Sequence, residues 1–159
     1  MKRVLTVVAV ALLSAVGASS LHAQSNPVVG TWKLNLEKSK FDPGPAPKSL
    51  TRTVAAEGDG LKYTFEGVAA DGKALSYSFS VKFDGKDYPV TGAMPGGADN
   101  ISAKKVDANH YDATTKKGGK VIGTAKVSVS ADGKVTTVES SGTNAAGAKT
   151  HDVQVYDKQ

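Results

Sequence analysis

From residue 49 onward the sequence alternates large apolar and polar residues with a period of two, and turn signals interrupt the alternation at short intervals. Leu61, Tyr63 and Phe65 alternate with Lys62, Thr64 and Glu66; Leu75, Tyr77, Phe79, Val81 and Phe83 alternate with Ser76, Ser78, Ser80 and Lys82. Successive side chains of a strand leave on opposite faces, so each run has one apolar face and one wet face. Val121, Gly123, Ala125, Val127 and Val129 alternate in the same way with Ile122, Thr124, Lys126, Ser128 and Ser130. Near the end Val153 and Val155 alternate with Asp152, Gln154 and Tyr156. No long stretch carries the 3.6-residue spacing of an amphipathic helix. The chain is therefore all-β.

The punctuation supports this. Turn signals fall at Gly58-Asp59-Gly60, Asp71-Gly72, Asp84-Gly85, Asp107-Ala108-Asn109, Gly118-Gly119, Asp132-Gly133 and Asn144 to Gly147. Asp-Gly and Asn-rich pairs accept the positive φ of tight hairpins. Strands are expected at 29–36, 49–56, 61–68, 73–83, 87–91, 100–106, 109–117, 120–130, 134–142 and 148–157. About 8–10 strands joined mostly by hairpins must dispose of their sheet edges, and closing an up-and-down antiparallel sheet into a barrel removes them. A two-sheet sandwich is the competitor, although its Greek-key crossovers need longer connections than these turns allow. Only 37–48, with Pro43, Pro45 and Pro47, and 91–99, with Pro95, Gly96 and Gly97, are longer than a turn.

The first residues have a different character. Lys2 and Arg3 precede an apolar run from Val4 to Val16, followed by small residues and Leu21-His22-Ala23. This is the order of a secretory signal peptide, and the run is short for a membrane span. Residues 1–23 are expected to be a cleaved leader, with 24–159 one exported domain, periplasmic or secreted. The alternative is an uncleaved N-terminal anchor. Without 1–23 the formal charge falls from +5 to +3. The absence of cysteine removes disulfides, thiol catalysis and cysteine-ligated metal sites.

Val29-Gly30-Thr31-Trp32-Lys33-Leu34-Asn35 places Gly-x-Trp on the first strand. This resembles the start of the lipocalins and the related fatty-acid-binding proteins. The resemblance implies that Gly30 and Trp32 close one end of a barrel, and that 37–48 lies where lipocalins carry a lid over the open end. Lipocalins also set an arginine of the last strand against that tryptophan; His151 to Lys158 contains none. A closer resemblance is to short exported bacterial proteins that share Gly-Thr-Trp-Lys-Leu-Asn, Asp-Gly-Lys-Asp-Tyr-Pro-Val (84–90) and Val-Tyr-Asp-Lys-Gln (155–159). That group is lipocalin-like in appearance and brings no activity with it.

Catalytic signals are missing. There is no His-x-x-x-His, no complete calcium loop, no phosphate loop and no Gly-x-Ser-x-Gly elbow. No cofactor is implied. Arg52 is the only arginine after residue 3, and it shares a strand face with Leu50, Val54 and Ala56. Directed into a barrel, a guanidinium can hold a carboxylate by two parallel hydrogen bonds; the resemblance to fatty-acid-binding proteins implies such a use of arginine and tyrosine. Tyr63 and Tyr77, on apolar faces of neighbouring strands, could add hydroxyl donors. Ala56, Gly67, Ala113, Gly123 and Ala125 could leave room for a ligand. Two other readings of Arg52 stay open: a plug stacked on Trp32, or a side chain turned to solvent by a one-residue slip. Tyr88, beside Pro89, is a candidate portal residue or part of a turn sealing one end. Glu139 and His151 read as rim residues. Lys104, Lys105, Lys116, Lys117, Lys120 and Lys126 form either one basic patch for anionic polysaccharide or headgroups, or a solubilising surface; the features of nucleic-acid binding are missing.

The expectation is thus a monomeric, non-catalytic binder of a small hydrophobic or carboxylate ligand. The rivals are an envelope interaction module with a filled barrel and a barrel enzyme of isomerase or cyclase type.

Overall fold

The alternating runs form eleven strands: β1 (Gly30–Leu34), β2 (Lys40–Asp42), β3 (Ser49–Glu57), β4 (Gly60–Val68), β5 (Ala74–Val81), β6 (Asp84–Gly92), β7 (Asn100–Lys105), β8 (His110–Lys117), β9 (Lys120–Val129), β10 (Val135–Thr143) and β11 (Lys149–Lys158). The computed structural model describes residues 26–144 and 146–159; the expected leader, 1–23, lies outside them. Each strand from β3 to β11 pairs antiparallel with the next, and β1 joins β3 on one side and β11 on the other. The sheet therefore closes into an up-and-down barrel of ten strands, with β2 as a short addition on β11. Among the described residues there is no α-helix, only a 3₁₀ turn at Pro95–Gly97.

Local chemistry accounts for most of the hairpins. Lys117 pairs with Lys120 across Gly118 and Gly119, whose φ values of 55° and 79° are the two positive angles a two-residue type I′ turn requires. Asp71, Asp84, Asp107 and Asp132 each accept a backbone N–H two residues on, the Asx geometry that makes Asp a turn former.

Three sequence expectations change. The stretch 37–48 is not wholly loop: Lys40, Phe41 and Asp42 pair with Val153, Asp152 and His151 on β11. Since β1 also lies along β11 at Trp32–Leu34, β1 and β2 are one strand interrupted by an outward excursion at 35–39. The expected strand at 87–91 begins earlier, at Asp84, with an irregularity between Asp84 and Asp87. On β9 the register shifts beside Thr115 and Lys116. That bulge turns Val121 outward, 59% exposed, and brings the neighbouring Ile122 to the cavity wall, reversing the alternation at that end of the strand.

The core fills one end of the barrel. Val28, Trp32, Val54, Thr136 and Tyr156 are its fully buried side chains, and Leu34, Leu50, Leu61, Phe65, Tyr77 and Val129 pack around them. Trp32 is anchored through its indole N–H, which donates to the Val28 carbonyl at 2.8 Å.

Candidate functional site

Cross-strand pairing sets a row of residues side by side around the barrel. Lys158 lies opposite Trp32, Trp32 opposite Arg52, Arg52 opposite Phe65, Phe65 opposite Tyr77 and Tyr77 opposite Gly92. Directly opposed residues share a face, so the burial of Trp32 carries Arg52 inside with it. Arg52 is 3% exposed.

The guanidinium carbon stands 5.2 Å from the centre of the Trp32 ring and 4.6 Å from that of Tyr156. Both are cation–π distances. On the other side of the tryptophan, Lys158 Nζ is 5.1 Å from the ring centre and donates to the Pro27 carbonyl at 3.2 Å. Two cations therefore flank the tryptophan, one from β3 and one from the last strand, where lipocalins use a last-strand arginine. Gly30 makes room for this: a Cβ there would stand 2.7 Å from Lys158 Cε, and its φ is 139°.

Arg52 Nε and Nη2, like Thr136 Oγ1, are sealed off with no hydrogen-bond partner among the described residues. No carboxylate of the described residues forms a salt bridge with it, and burial pulls its pKa down from the usual guanidinium range, an effect that nearby tyrosines oppose. Two of the three guanidinium nitrogens are thus buried without a partner, and Nη1 is not among the sealed atoms. The tyrosines around it respond to the same dry environment. Burial pushes Tyr63 and Tyr156 up to about 12 and Tyr77 well above its ordinary value. Tyr156 donates to Gln154 Oε1 at 2.6 Å; Tyr63 and Tyr77 make no hydrogen bond among the described residues, and both feel the guanidinium's charge.

Beside this group is a cavity of about 420 Å³, within the range of small-molecule sites. Arg52, Tyr63, Phe65, Tyr77, Phe79 and Tyr156 line one side of it. Ala113, Gly123, Ala125 and Ser140 line the other, and Phe41, Pro43, Pro45 and Pro95 lie at the end where β2 and the 3₁₀ turn approach. The interior is not solid, as a filled barrel would require.

The other predicted residues lie elsewhere. Tyr88 packs against the Val81, Ile101 and Ala103 cluster, donates its hydroxyl to Asp84 at 3.1 Å and is not among the residues lining the cavity. Ala56 is exposed at a strand end. Gly67 leaves space for backbone and not for ligand: a Cβ there would fall within bonding-contact range of the Ser49 carbonyl and 2.9 Å from Leu50 Cα. On β11 the lumenal residues are Asp152, Gln154 and Tyr156, while the valines between them point outward. Sequence reasoning did not single out Phe65, Phe79, Gln154 or Tyr156. The same period-two faces that hold Tyr63 and Tyr77 contain the two phenylalanines; only closure of β11 onto β1 reveals Tyr156.

Glu139, Ser141 and His151 share the outer face of β10 and β11. His151 Nδ1 is 3.0 Å from Ser141 Oγ, and its Nε2 is 3.8 Å from Glu139. These groups are exposed, and of the three only Ser141 lies among the residues lining the cavity. The lysines do not form an unbroken patch. Lys104 stands between Asp84 and Asp112, Lys126 between Asp112 and Glu139, and Lys116 pairs with Asp87 at 2.8 Å. Among the described residues no three His, Asp or Glu side chains converge as a metal site.

No family model and no curated protein matches the chain. Among solved structures, zebrafish ileal bile acid-binding protein in complex with cholic acid is similar, with a TM-score of 0.50 at 15% identity over 84% of this chain and 99% of that one. This chain shares the closed up-and-down barrel fold of that protein. Lobster apocrustacyanin A1 aligns at a TM-score of 0.45 and 15% identity, covering 86% of this chain and 63% of its own. A redesigned β-barrel, mFAP1, bound to DFHBI, aligns at 0.43 and 12% identity over 83% and 95%. At such identities the likeness concerns the path of the chain and not the chemistry of the lumen.

Proposed function

We propose that this is an exported, non-catalytic binding protein whose barrel takes a small, partly apolar molecule with its carboxylate toward Arg52. The observation that carries the reading is a buried guanidinium beside a cavity, with no anionic partner among the described residues. A charge taken out of water is costly unless something pairs with it. The two aromatic rings offset part of that cost through cation–π contact. A carboxylate reaching Nη1 would supply the rest, with the Tyr63 and Tyr77 hydroxyls as further donors, so the ligand's charged end is drawn to the floor and its apolar body occupies the aromatic-lined space. Cholic acid, with which the zebrafish protein is in complex, is a ligand of this general kind.

Wild type and Arg52→Leu, checked for folding by thermal melts, should be titrated with laurate and with lauryl alcohol by displacement of a fluorescent fatty acid. Losing one charge-assisted contact is expected to weaken laurate by about ten- to a hundredfold and to leave the alcohol unchanged. Equal laurate affinity in the two proteins removes Arg52 from the site. Native mass spectrometry of protein recovered from its own host tests the rest of the proposal: the mass should correspond to a chain beginning at Gln24, with a bound acid.

A further inference from the structure

We propose that the carboxylate ligand is planar and aromatic or conjugated, and not a flexible alkyl chain. The inference rests on the binding role above and adds the shape and electronic character of the ligand.

Two neighbouring strands form the aromatic wall. On β4 and β5, Tyr63 lies directly opposite Phe79, and Phe65 opposite Tyr77. The first pair is stacked at 5.1 Å between ring centres with 23° between planes, the second at 4.4 Å with 11°. These separations are close to the spacing of neighbouring strands. Each ring's face is therefore turned along the sheet toward its partner, and its edge points into the lumen. Phe65 and Phe79, 5.9 Å apart, link the two pairs into one block. Ring edges carry the positive side of the aromatic quadrupole and meet the negative face of another π-system favourably. A saturated chain has no such face.

The opposite wall has a complementary shape. In the closed order of ten strands, β9 lies five places from β4, and β10 five places from β5. Midway along these strands the lumenal residues are small, Gly123 and Ala125 on β9 and Ser140 and Gly142 on β10, with Val127 and Val138 toward the core end and Ile122 toward the other. Ala125 is also directly opposite Ala113 on β8. The cavity is thus bounded by a tall aromatic block on one side and a low wall on the other, the outline of a slot. A flat ring system fills a slot without the loss of rotamer entropy that an alkyl chain suffers on being ordered. The arrangement is directional as well: Arg52 abuts Phe65 in the same row, so a carboxylate at the guanidinium leaves the attached rings over the phenylalanine block.

The test compares anthracene carboxylate with its perhydro counterpart, which has the same carbon skeleton and charge but no π-face. Calorimetric titration of the wild-type protein should give at least about tenfold tighter binding for the aromatic acid. In Phe79→Leu, and separately in Phe65→Leu, the preference should shrink below about threefold, with the perhydro acid little changed; two variants guard against one failing to fold. Equal or tighter binding of the perhydro acid by wild type overturns the inference while leaving the carboxylate-binding role intact. Full preference retained in both variants overturns the assignment to this wall. If neither anthracene carboxylate, its perhydro analogue nor laurate binds, both the inference and the binding role fall.

Discussion

Arg52 is held by residues that do not look like a binding site individually. Trp32 gives it a ring, Tyr156 gives it a second, and neither gives it an anion. The plug reading of Arg52 matches its stacking on Trp32, and its Nε and Nη2 are buried without a partner among the described residues; under the proposed function the remaining nitrogen would meet the ligand. The same economy governs the other side of Trp32. Gly30 has a φ of 139°, and its missing Cβ is what allows Lys158 to cross the tryptophan. Gly30→Ala should therefore destabilise the protein by about 1–3 kcal/mol, mainly through backbone strain, as read from urea unfolding. Removing the Lys158 side chain as well should restore little of that loss, because the strain belongs to φ and not to the contact. Full restoration in the double variant would mean that the clash dominates.

Among the elements, the outer surface of β6 to β10 is organised by charge. Asp84, Lys104, Asp112, Lys126 and Glu139 stand opposite one another in strand order, alternating in sign across five strands. Each exposed pair contributes little by itself, but like charges directly opposed disfavour pairing. Asp112→Lys would place three lysines in a row. It should lower the urea midpoint at low salt, and the deficit should shrink as salt screens the row; a salt-independent deficit would point to lost packing. The strands themselves are legible in the sequence, since alternation and turn chemistry are local. The shift on β9 is not, because a bulge depends on how the partner strand meets it, and Val121 and Ile122 exchange faces as a result. Likewise, the pairing of Lys40, Phe41 and Asp42 with β11 has no local signal within a proline-rich segment.

At the scale of the whole molecule, closure creates a dry floor beneath an open cavity, and the tyrosines report that dryness. Tyr63 and Tyr156 are pushed up to about 12 and Tyr77 well above its usual value, in each case chiefly by burial. An unfolded chain releases these protons near pH 10, earlier than the folded chain does. The folded state then holds more protons than the unfolded one, so their contribution to stability is complete below about pH 10 and is lost as the pH rises toward 12. Phenolate absorbance near pH 11 should show these three tyrosines still protonated, with cooperative unfolding releasing them together. Titration of all five near pH 10 would mean that the floor is open to water. The sequence alone determined the ten barrel strands, their hairpins and the strand face that Arg52 shares with Leu50 and Val54, because side-chain alternation and turn dihedrals are properties of a few consecutive residues. Tertiary structure decided what that face looks upon. Trp32 and Tyr156 belong to opposite ends of the domain, and they meet over Arg52 because β1 pairs with both β3 and β11. The cavity, the sealed nitrogens and the aromatic wall facing small residues all follow from that closure, since they depend on distances across the barrel that no local pattern encodes.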